Sequence, residues 1–242
     1  LFEKVLRPKF HGGSAGDDLK FAETHVIAPA GAFTDAAVLV VAHSLTAGSI
    51  QVLKHQHFKS TASPLVVTSA DGRVVHEFDG FRAIDAYASA LGMEASDVDG
   101  EVCFMNPVTF ACNGELYVRS IHSILDDGSL QFYCAVEEGM VVDIGGHNDM
   151  CQTLADDLSE FFPQGAQLVV GFNCILRALE ATGKELHSDL GAIFQEKVQH
   201  LIGFDTYGEQ LNGLHINQTL VAVGFGVGET PAVEAVAAPT GP

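Results

Sequence analysis

Short apolar or alternating runs, separated by turn residues, fill the first part of the chain. Glycine, proline and Asp-Gly steps stand between these runs, as is typical of strands joined by turns. Apolar residues at i, i+3, i+4 and i+7 from Ile84 to Leu91 then predict a short amphipathic helix that ends at Gly92. The predicted strands are residues 36–42, 50–53, 65–68 and 74–78.

The second part of the chain mixes alternating runs with helical stripes. Asp126 and Gly128 mark the turn of an antiparallel hairpin, and Ser188 is a candidate cap for a later helix. The pattern predicts an α+β fold with mixed or antiparallel sheets flanked by helices. The predicted elements are strands at 102–106, 115–125 and 129–136, a helix at about 148–161, a strand at 167–172, helices at 175–182 and 188–201, and a strand at 219–225.

Composition narrows the class of protein. The formal charge of −19, from 12 basic and 31 acidic residues, would repel a phosphate backbone, so we expect neither nucleic acid nor an anionic membrane as a partner. The apolar runs are far shorter than the ~20 residues of a membrane helix, and no secretory signal is visible. The five cysteines form no Cys-x-x-Cys pair, which predicts reduced thiols in a cytoplasmic protein, most of them small buried hydrophobes.

Common catalytic and nucleotide-binding signatures do not explain the chain. The glycines between Gly12 and Gly16 predict a tight, flexible turn, because a P-loop would end in Gly-Lys-Ser/Thr and would not be followed by Asp17 and Asp18. His-Glu-x-x-His and Gly-x-Ser-x-Gly are absent, so we do not expect an enzyme. The residues from His147 to Asp149 fit either part of a metal site or, more simply, a helix cap.

A polar segment near the end of the chain looks like the wall of a ligand site. A glycine-rich turn carries Tyr207 and Glu209. In the extended segment that follows, His215, Asn217 and Thr219 alternate with apolar or larger residues, which predicts one polar strand face.

Six segments stand out along the chain: residues 12–18, 56–68, 75–80, 117–120, 171–177 and 207–219. Taken in order, they resemble the FIST family of bacterial sensory domains. The resemblance covers roughly residues 10–225, and the acidic stretch at 94–100 falls where the two halves of that family meet. It implies two related halves, with residues 1–95 as the C-terminal part of a FIST N domain, 96–226 as a FIST C domain and 227–242 as a disordered, proline-punctuated tail.

Within that family, residues 56–58, 172–177 and 207–210 resemble the branch of nitric-oxide-sensing haem proteins (the NosP branch). The resemblance implies a haem cofactor, nitric oxide as the signal, and a histidine kinase partner in cyclic-di-GMP and biofilm circuits. It also implies that the family has a further strand and helix before residue 12. Signal transduction by a small-ligand sensor is therefore the expected function.

A haem sensor needs an axial imidazole, and we predict His57 and His215 as the candidate iron ligands. His57 follows His55 at i+2, so both side chains would face the same way on a strand. The alternative for His57 is a pair of exposed histidines in a basic patch with neighbouring lysines. The alternative for His215 is a hydrogen bond to Asn217 or Thr219.

Arg177 lies in apolar sequence surroundings, where a guanidinium needs an acidic partner or an anionic ligand. A structural clasp with Glu209 and a ligand clamp both fit. Cys174, three residues earlier, is either a thiolate donor or a core hydrophobe. The alternative function is a haem-free sensor of an amino acid or similar small metabolite, bound by Arg177, Tyr207 and Glu209.

Overall fold

The structure, a computed structural model, describes residues 10–112 and 114–227. In this part of the chain, five α-helices and seventeen strands form an α+β fold, which confirms the predicted class. The predicted disordered tail lies outside the described residues, except for residue 227. Among the described residues, none of the helices has both the length and the apolar character needed to span a membrane.

The strands of the first part are β1 (His11–Gly13), β2 (Val26–Ala28), β3 (Gly31–Phe33), β4 (Ile50–His55), β5 (Phe58–Asp71), β6 (Val74–Phe78) and β7 (Phe81–Arg82). Those that follow are β8 (Val108–Cys112), β9 (Glu115–Arg119), β10 (Ile121–Ile124), β11 (Leu130–Phe132), β12 (Val141–His147), β13 (Ala166–Cys174), β14 (Val198–Thr206), β15 (Glu209–Leu211), β16 (Leu214–Ile216) and β17 (Leu220–Phe225). The helices are α1 (Ala83–Leu91), α2 (Gly100–Met105), α3 (Met150–Phe161), α4 (Ile175–Gly183) and α5 (His187–Lys197).

The largest sheet is antiparallel, in the order β10-β11-β6-β5-β12-β8-β9, with β7 paired to β6. Helix α1 packs its buried face, which includes Ile84 and Tyr87, into the core of this sheet. Gly92 ends the helix with a left-handed φ of 72°, a conformation that side chains disfavour. The predicted helix and the predicted hairpin between β10 and β11 are both confirmed.

A second, mixed sheet has the order β14-β13-β17-β4, in which only β13 and β14 run parallel. Helices α3 and α5 contribute Leu154, Leu158, Leu190 and Phe194 to its core. Strands from both sides of residue 95 share each of the two large sheets, so hydrogen-bonded strands join the two sequence halves.

The glycine-rich segment after residue 11 is not a flexible turn. His11–Gly13 forms β1 and pairs with β15, and Ser14 continues the contact by donating its N–H to the Gly208 carbonyl. A Cβ at Gly13 would collide with the Thr206 side chain, and one at Gly16 would lie 2.8 Å from the Tyr207 ring. The glycines are needed for close packing against residues 206–208.

Two predicted strands are wrong. Residues 36–42 form no strand, and Val40 and Val41 are exposed, because no neighbouring strand pairs with this apolar run. Residues 102–105 belong to helix α2 instead, and Asn106 follows its last residue. The Asp99 side chain caps that helix by accepting a hydrogen bond from the Val102 N–H, and a local cap of this kind outweighs β-branched propensity.

Other boundaries also differ from the prediction. The predicted strand at 115–125 is interrupted at Ser120, whose hydroxyl donates to Gln218 Oε1. Ser188 lies inside α5, and Leu186 occupies the capping position. The predicted helix through residue 201 ends at Lys197, because β14 starts at Val198 and pairs with β13.

The polar segment at the end of the chain is not one strand. It divides into β15, β16 and β17, and Gln218 has a φ of 51° between the last two. The polar residues that precede β17 are buried: Asn217 contacts Cys134, and Gln218 contacts Ser120 and the Phe104 carbonyl. The alternating polar residues therefore belong to a hydrogen-bonded segment that passes from the small sheet of β16 to the mixed sheet of β17.

Candidate functional site

One end of the mixed sheet gathers several buried polar groups. Asn173 of β13 is in register with Leu220 of β17, which is in register with His55 of β4. Helix α4 begins directly after β13, so Arg177 and Glu180 of α4 lie at the same end of the sheet. We call this region the buried polar end.

Arg177 is 4% exposed, and a neighbouring amide holds one edge of its guanidinium. Its Nη1 donates to Asn173 Oδ1 at 2.8 Å, and Asn173 in turn donates from Nδ2 to Asp205 at 2.7 Å. Among the residues that the structure describes, none hydrogen-bonds the buried Nε and Nη2 atoms. Burial lowers the pKa of Arg177 to about 10, although the charges of Glu180 and Glu209 oppose this shift. The guanidinium is thus a cation with one unsatisfied edge.

Glu209 is completely buried, and two hydroxyls satisfy its carboxyl group. Thr206 donates to Oε1, and Thr219 donates to Oε2. Burial raises the pKa of Glu209 to about 7, against the effect of these hydrogen bonds. Among the described residues, Arg177 forms no ion pair within 4.0 Å with Glu209 or any other carboxylate, so the predicted clasp is not formed.

His57 is fully buried in the loop between β4 and β5, so the alternative of an exposed histidine patch is wrong. Its Nε2 lies 3.0 Å from both carboxylate oxygens of Glu180, and its Nδ1 is buried without a hydrogen-bond partner. Phe58 packs against the ring at 4.4 Å between centroids. Burial lowers the pKa of His57, while the contact with Glu180 opposes that shift.

His147 and Lys184 complete the surroundings of Glu180. His147 Nε2 donates to the Met105 carbonyl, while its Nδ1 lies 3.4 Å from Glu180 Oε1 without hydrogen-bond geometry. Lys184 donates to the same oxygen at 2.7 Å. Burial favours a raised pKa for Glu180, but these contacts outweigh it and hold the pKa below its ordinary value.

His55 forms a second buried pair nearby. Its Nδ1 lies 2.9 Å from Asp157 Oδ2, its Nε2 is buried without a partner, and its ring is 6.4 Å from that of His57. Burial lowers the pKa of His55, and the charge of Arg177 lowers it further. Burial also raises the pKa of Asp157 to about 6. A neutral His55 therefore donates from Nδ1 and leaves Nε2 as an acceptor.

His215 lies in the small sheet formed by β1, β15 and β16, where its neighbours differ from those of His57. Its Nδ1 is 3.0 Å from Gln210 Nε2, so its partner is neither Asn217 nor Thr219. The Gly208 backbone packs against the opposite edge of the ring, where any Cβ would collide with Nε2. Burial lowers the pKa of His215.

Tyr207 and Cys174 are also occupied by local contacts. The Tyr207 hydroxyl donates to Asp17 at 2.7 Å, and the ring stacks on Phe21 at 5.1 Å, so this residue fastens the loop after β1. Cys174 is buried, and burial raises the pKa of its thiol. All five cysteines are unpaired, as expected, and three of them are buried.

His57, one of the two histidines predicted to bind haem, does not present an open coordinating nitrogen in this geometry. Glu180 covers Nε2 of His57, and the whole ring is enclosed. His215 is half-buried: Gln210 is bonded to its Nδ1, and the Gly208 backbone lies beside its Nε2. An axial ligand must face a wide apolar slot, so the enclosed ring of His57 does not fit a macrocycle.

Sequence reasoning found Arg177 and Glu209 but missed most of the residues around them. Glu180 precedes Lys184 by four residues, so the spacing of one helical turn was an available signal for this pair. Asn173 lies four residues before Arg177 but in strand β13, so helical spacing does not identify it. His147 was considered for a metal site, but its proximity to His57 and Glu180 has no local sequence signal.

Comparison with protein families gives two adjoining matches. The model described as FIST N domain matches residues 3–81, and the model described as FIST C domain matches residues 83–212. Searches of curated proteins and of solved structures found no match.

Proposed function

Since the chain belongs to the FIST family, whose domains are small-ligand sensory domains of signalling proteins, we propose that it senses a small carboxylate, most simply an α-amino acid. The unsatisfied Nε and Nη2 edge of Arg177 would bind the carboxylate. Signalling rather than catalysis is the activity of the family.

The observation that carries this proposal is the contrast between two arginines. In Arg82, Nε and Nη2 hold the two carboxylate oxygens of Asp85, each at 2.8 Å. In Arg177 the same two atoms are buried without a partner, while Asn173 holds Nη1. A buried guanidinium is costly unless it is paired, and its side-on edge matches a carboxylate. A ligand carboxylate would accept two hydrogen bonds from Nε and Nη2 of Arg177, as the Asp85 carboxylate does from Arg82.

His55 favours a ligand that also carries N–H donors. Its Nε2 is a buried acceptor without a partner, and the charge of Arg177 lowers the pKa of its ring. An α-amino acid carries a carboxylate for the guanidinium and an ammonium group for such an acceptor. This combination favours amino acids over simple carboxylic acids.

Ligand entry provides a means of signalling. Because Arg177 is 4% exposed, a ligand reaches it only when neighbouring segments move apart. Binding would then select the opened arrangement and change the surface seen by a protein partner. A histidine kinase remains the partner that we propose for this output.

Haem and nitric oxide sensing stay a prediction, because no family match distinguishes the nitric-oxide-sensing branch. The enclosed ring of His57 favours the carboxylate proposal over haem. An absorption spectrum of the purified chain after addition of haem separates the two. A Soret band that is lost on replacing His57 or His215 would favour haem.

The test of the proposal is a thermal-shift panel of L-amino acids, each compared with its carboxamide. We expect at least one amino acid to raise the melting temperature, because a ligand that binds only the folded state stabilises it. Its carboxamide should have little effect, since it lacks the negative charge.

Arg177→Lys is the decisive variant, because lysine keeps the positive charge but lacks the two-pronged edge. We expect the shift to disappear in this variant and to persist in the matched control Arg82→Lys. Equal shifts in Arg177→Lys and the unmodified chain would overturn the proposal, as would a panel without any shift.

A further inference from the structure

We propose that His57, His147 and Glu180 form a binding site for a divalent transition metal ion of the zinc class. Three separate parts of the fold supply the ligands: the loop before β5, the end of β12, and helix α4. One nitrogen or oxygen from each residue lies within 4.8 Å of the others. This site is independent of the carboxylate proposed at Arg177.

The spacing of the ligand atoms suits a small tetrahedral ion. Zinc binds imidazole nitrogen at roughly 2.0–2.1 Å, which puts neighbouring ligand atoms about 3.3 Å apart in a tetrahedron. His57 Nε2 is 3.0 Å from Glu180, and His147 Nδ1 is 3.4 Å from it. An ion could therefore lie between these atoms after small side-chain shifts.

The tautomer of His147 supports the same conclusion. Its Nε2–H donates to the Met105 carbonyl, so in the neutral ring Nδ1 is an acceptor. That acceptor faces the Glu180 carboxylate at 3.4 Å without hydrogen-bond geometry. Two acceptors in contact need a cation between them, which is either a proton on Nδ1 of His147 or a metal ion. Metal-binding histidines also commonly donate their second nitrogen to a carbonyl, as His147 does.

Lys184 competes with a metal ion for Glu180. Its ammonium group lies 2.7 Å from Oε1, but its side chain is 43% exposed and is free to swing into solvent. Binding of the ion would displace this ammonium group. It would also displace the proton from Nε2 of His57, and the ring would then carry its proton on Nδ1. Among the described residues, the buried Nδ1 has no hydrogen-bond partner.

Three protein ligands leave a fourth position for water or another small donor. The His147 side chain is 25% exposed, so this side of the site is near solvent. Sites with three protein ligands and an open position are typical of zinc that contacts a substrate or ligand, whereas structural zinc has four protein ligands.

The test is a titration of the purified, chelator-treated chain with Zn²⁺ against a chromophoric chelator. We expect one ion per chain, and with Co²⁺ we expect the intense visible absorption of a tetrahedral site. His147→Gln should weaken binding by about tenfold or more, in line with the loss of a ligand or its support. The matched control His122→Gln removes an exposed imidazole elsewhere and should leave the affinity unchanged.

Lys184→Gln makes the test independent of folding defects. Removal of the competing ammonium group should raise the zinc affinity by several-fold, and a misfolded variant would not gain affinity. The proposal is overturned if the chain binds no Zn²⁺ or Co²⁺ in competition with the chelator. It is also overturned if His147→Gln binds as tightly as the unmodified chain.

Discussion

Asn173 Oδ1 accepts a 2.8 Å hydrogen bond from Nη1 of Arg177, the residue four positions later. The same amide donates to Asp205, so Asn173 is held on both sides. This arrangement fixes the guanidinium and leaves its Nε and Nη2 edge without a partner. Asn173 thus positions the group that we propose as the carboxylate receptor.

Asn173→Ala should weaken the response to the amino acid that binds the unmodified chain. Arg177 would keep its charge but lose its orientation, and a hydrogen bond to a charged group contributes about 1.5–3 kcal/mol, or about tenfold or more in affinity. The measurement is the amino-acid concentration at half-maximal thermal shift. Gln152→Ala, which removes an exposed amide bonded to Asp156, is the control. An unchanged midpoint in Asn173→Ala would show that this contact does not position Arg177.

Glu209 should make the stability of the protein fall as the pH rises. Its pKa is about 7 in the fold and close to 4.5 when unfolded, so between these values the folded state holds a proton that the unfolded state has lost. The contribution of Glu209 to the free energy of unfolding is fully present below pH 4.5. It falls by roughly 3 kcal/mol as the pH rises to 7. Denaturant unfolding across this range measures the effect.

Glu209→Gln removes this titration, so the variant should gain stability relative to the unmodified chain as the pH rises from 4.5 to 7. The comparison cancels the titration of other groups, provided that they are unaffected by the substitution. Glu160→Gln, at an exposed position of α3, is the control. Parallel stability curves for Glu209→Gln and the unmodified chain would contradict the raised pKa.

Gly203 and Gly191 should respond oppositely to alanine. A Cβ at Gly203 would collide with the Gly171 backbone in the neighbouring parallel strand, whereas a Cβ at Gly191 in α5 meets no atom within 4 Å. We expect Gly203→Ala to cost about 1–3 kcal/mol, as overpacking does. Gly191→Ala should add about 0.5–1 kcal/mol, because alanine favours a helix. Chemical denaturation measures the free energy of unfolding of both variants and so checks the two signs. An unchanged free energy of unfolding in Gly203→Ala would contradict the close approach of β14 to β13.

Local signals predicted the elements that carry their own start and stop. Helix α1 has an apolar stripe and a glycine at its end, and β6 was predicted at its observed bounds. Asp149 caps α3, within the stretch from His147 to Asp149 that the sequence suggested as a helix cap. These interactions join residues a few positions apart, so the sequence displays them directly.

Two of the failures occurred where a distant partner decides the structure. Residues 36–42 have strand-like composition but no paired strand, and Val198 leaves a helical pattern to pair with β13. A strand forms only if another strand hydrogen-bonds to its backbone N–H and C=O groups. The sequence of one strand does not show which strand that will be.

The sequence by itself determined the α+β class and the family resemblance, and it singled out Arg177 and Glu209 as candidate ligand-binding residues. Only the tertiary structure decided that Arg177 keeps an unsatisfied edge and that His57 and Glu180, 123 positions apart, come into contact. Residue types fix which chemistry is available, because each side chain carries its own charge and donors. Their convergence depends on the pairing of β4, β17 and β13, which brings distant segments to one buried end of the sheet.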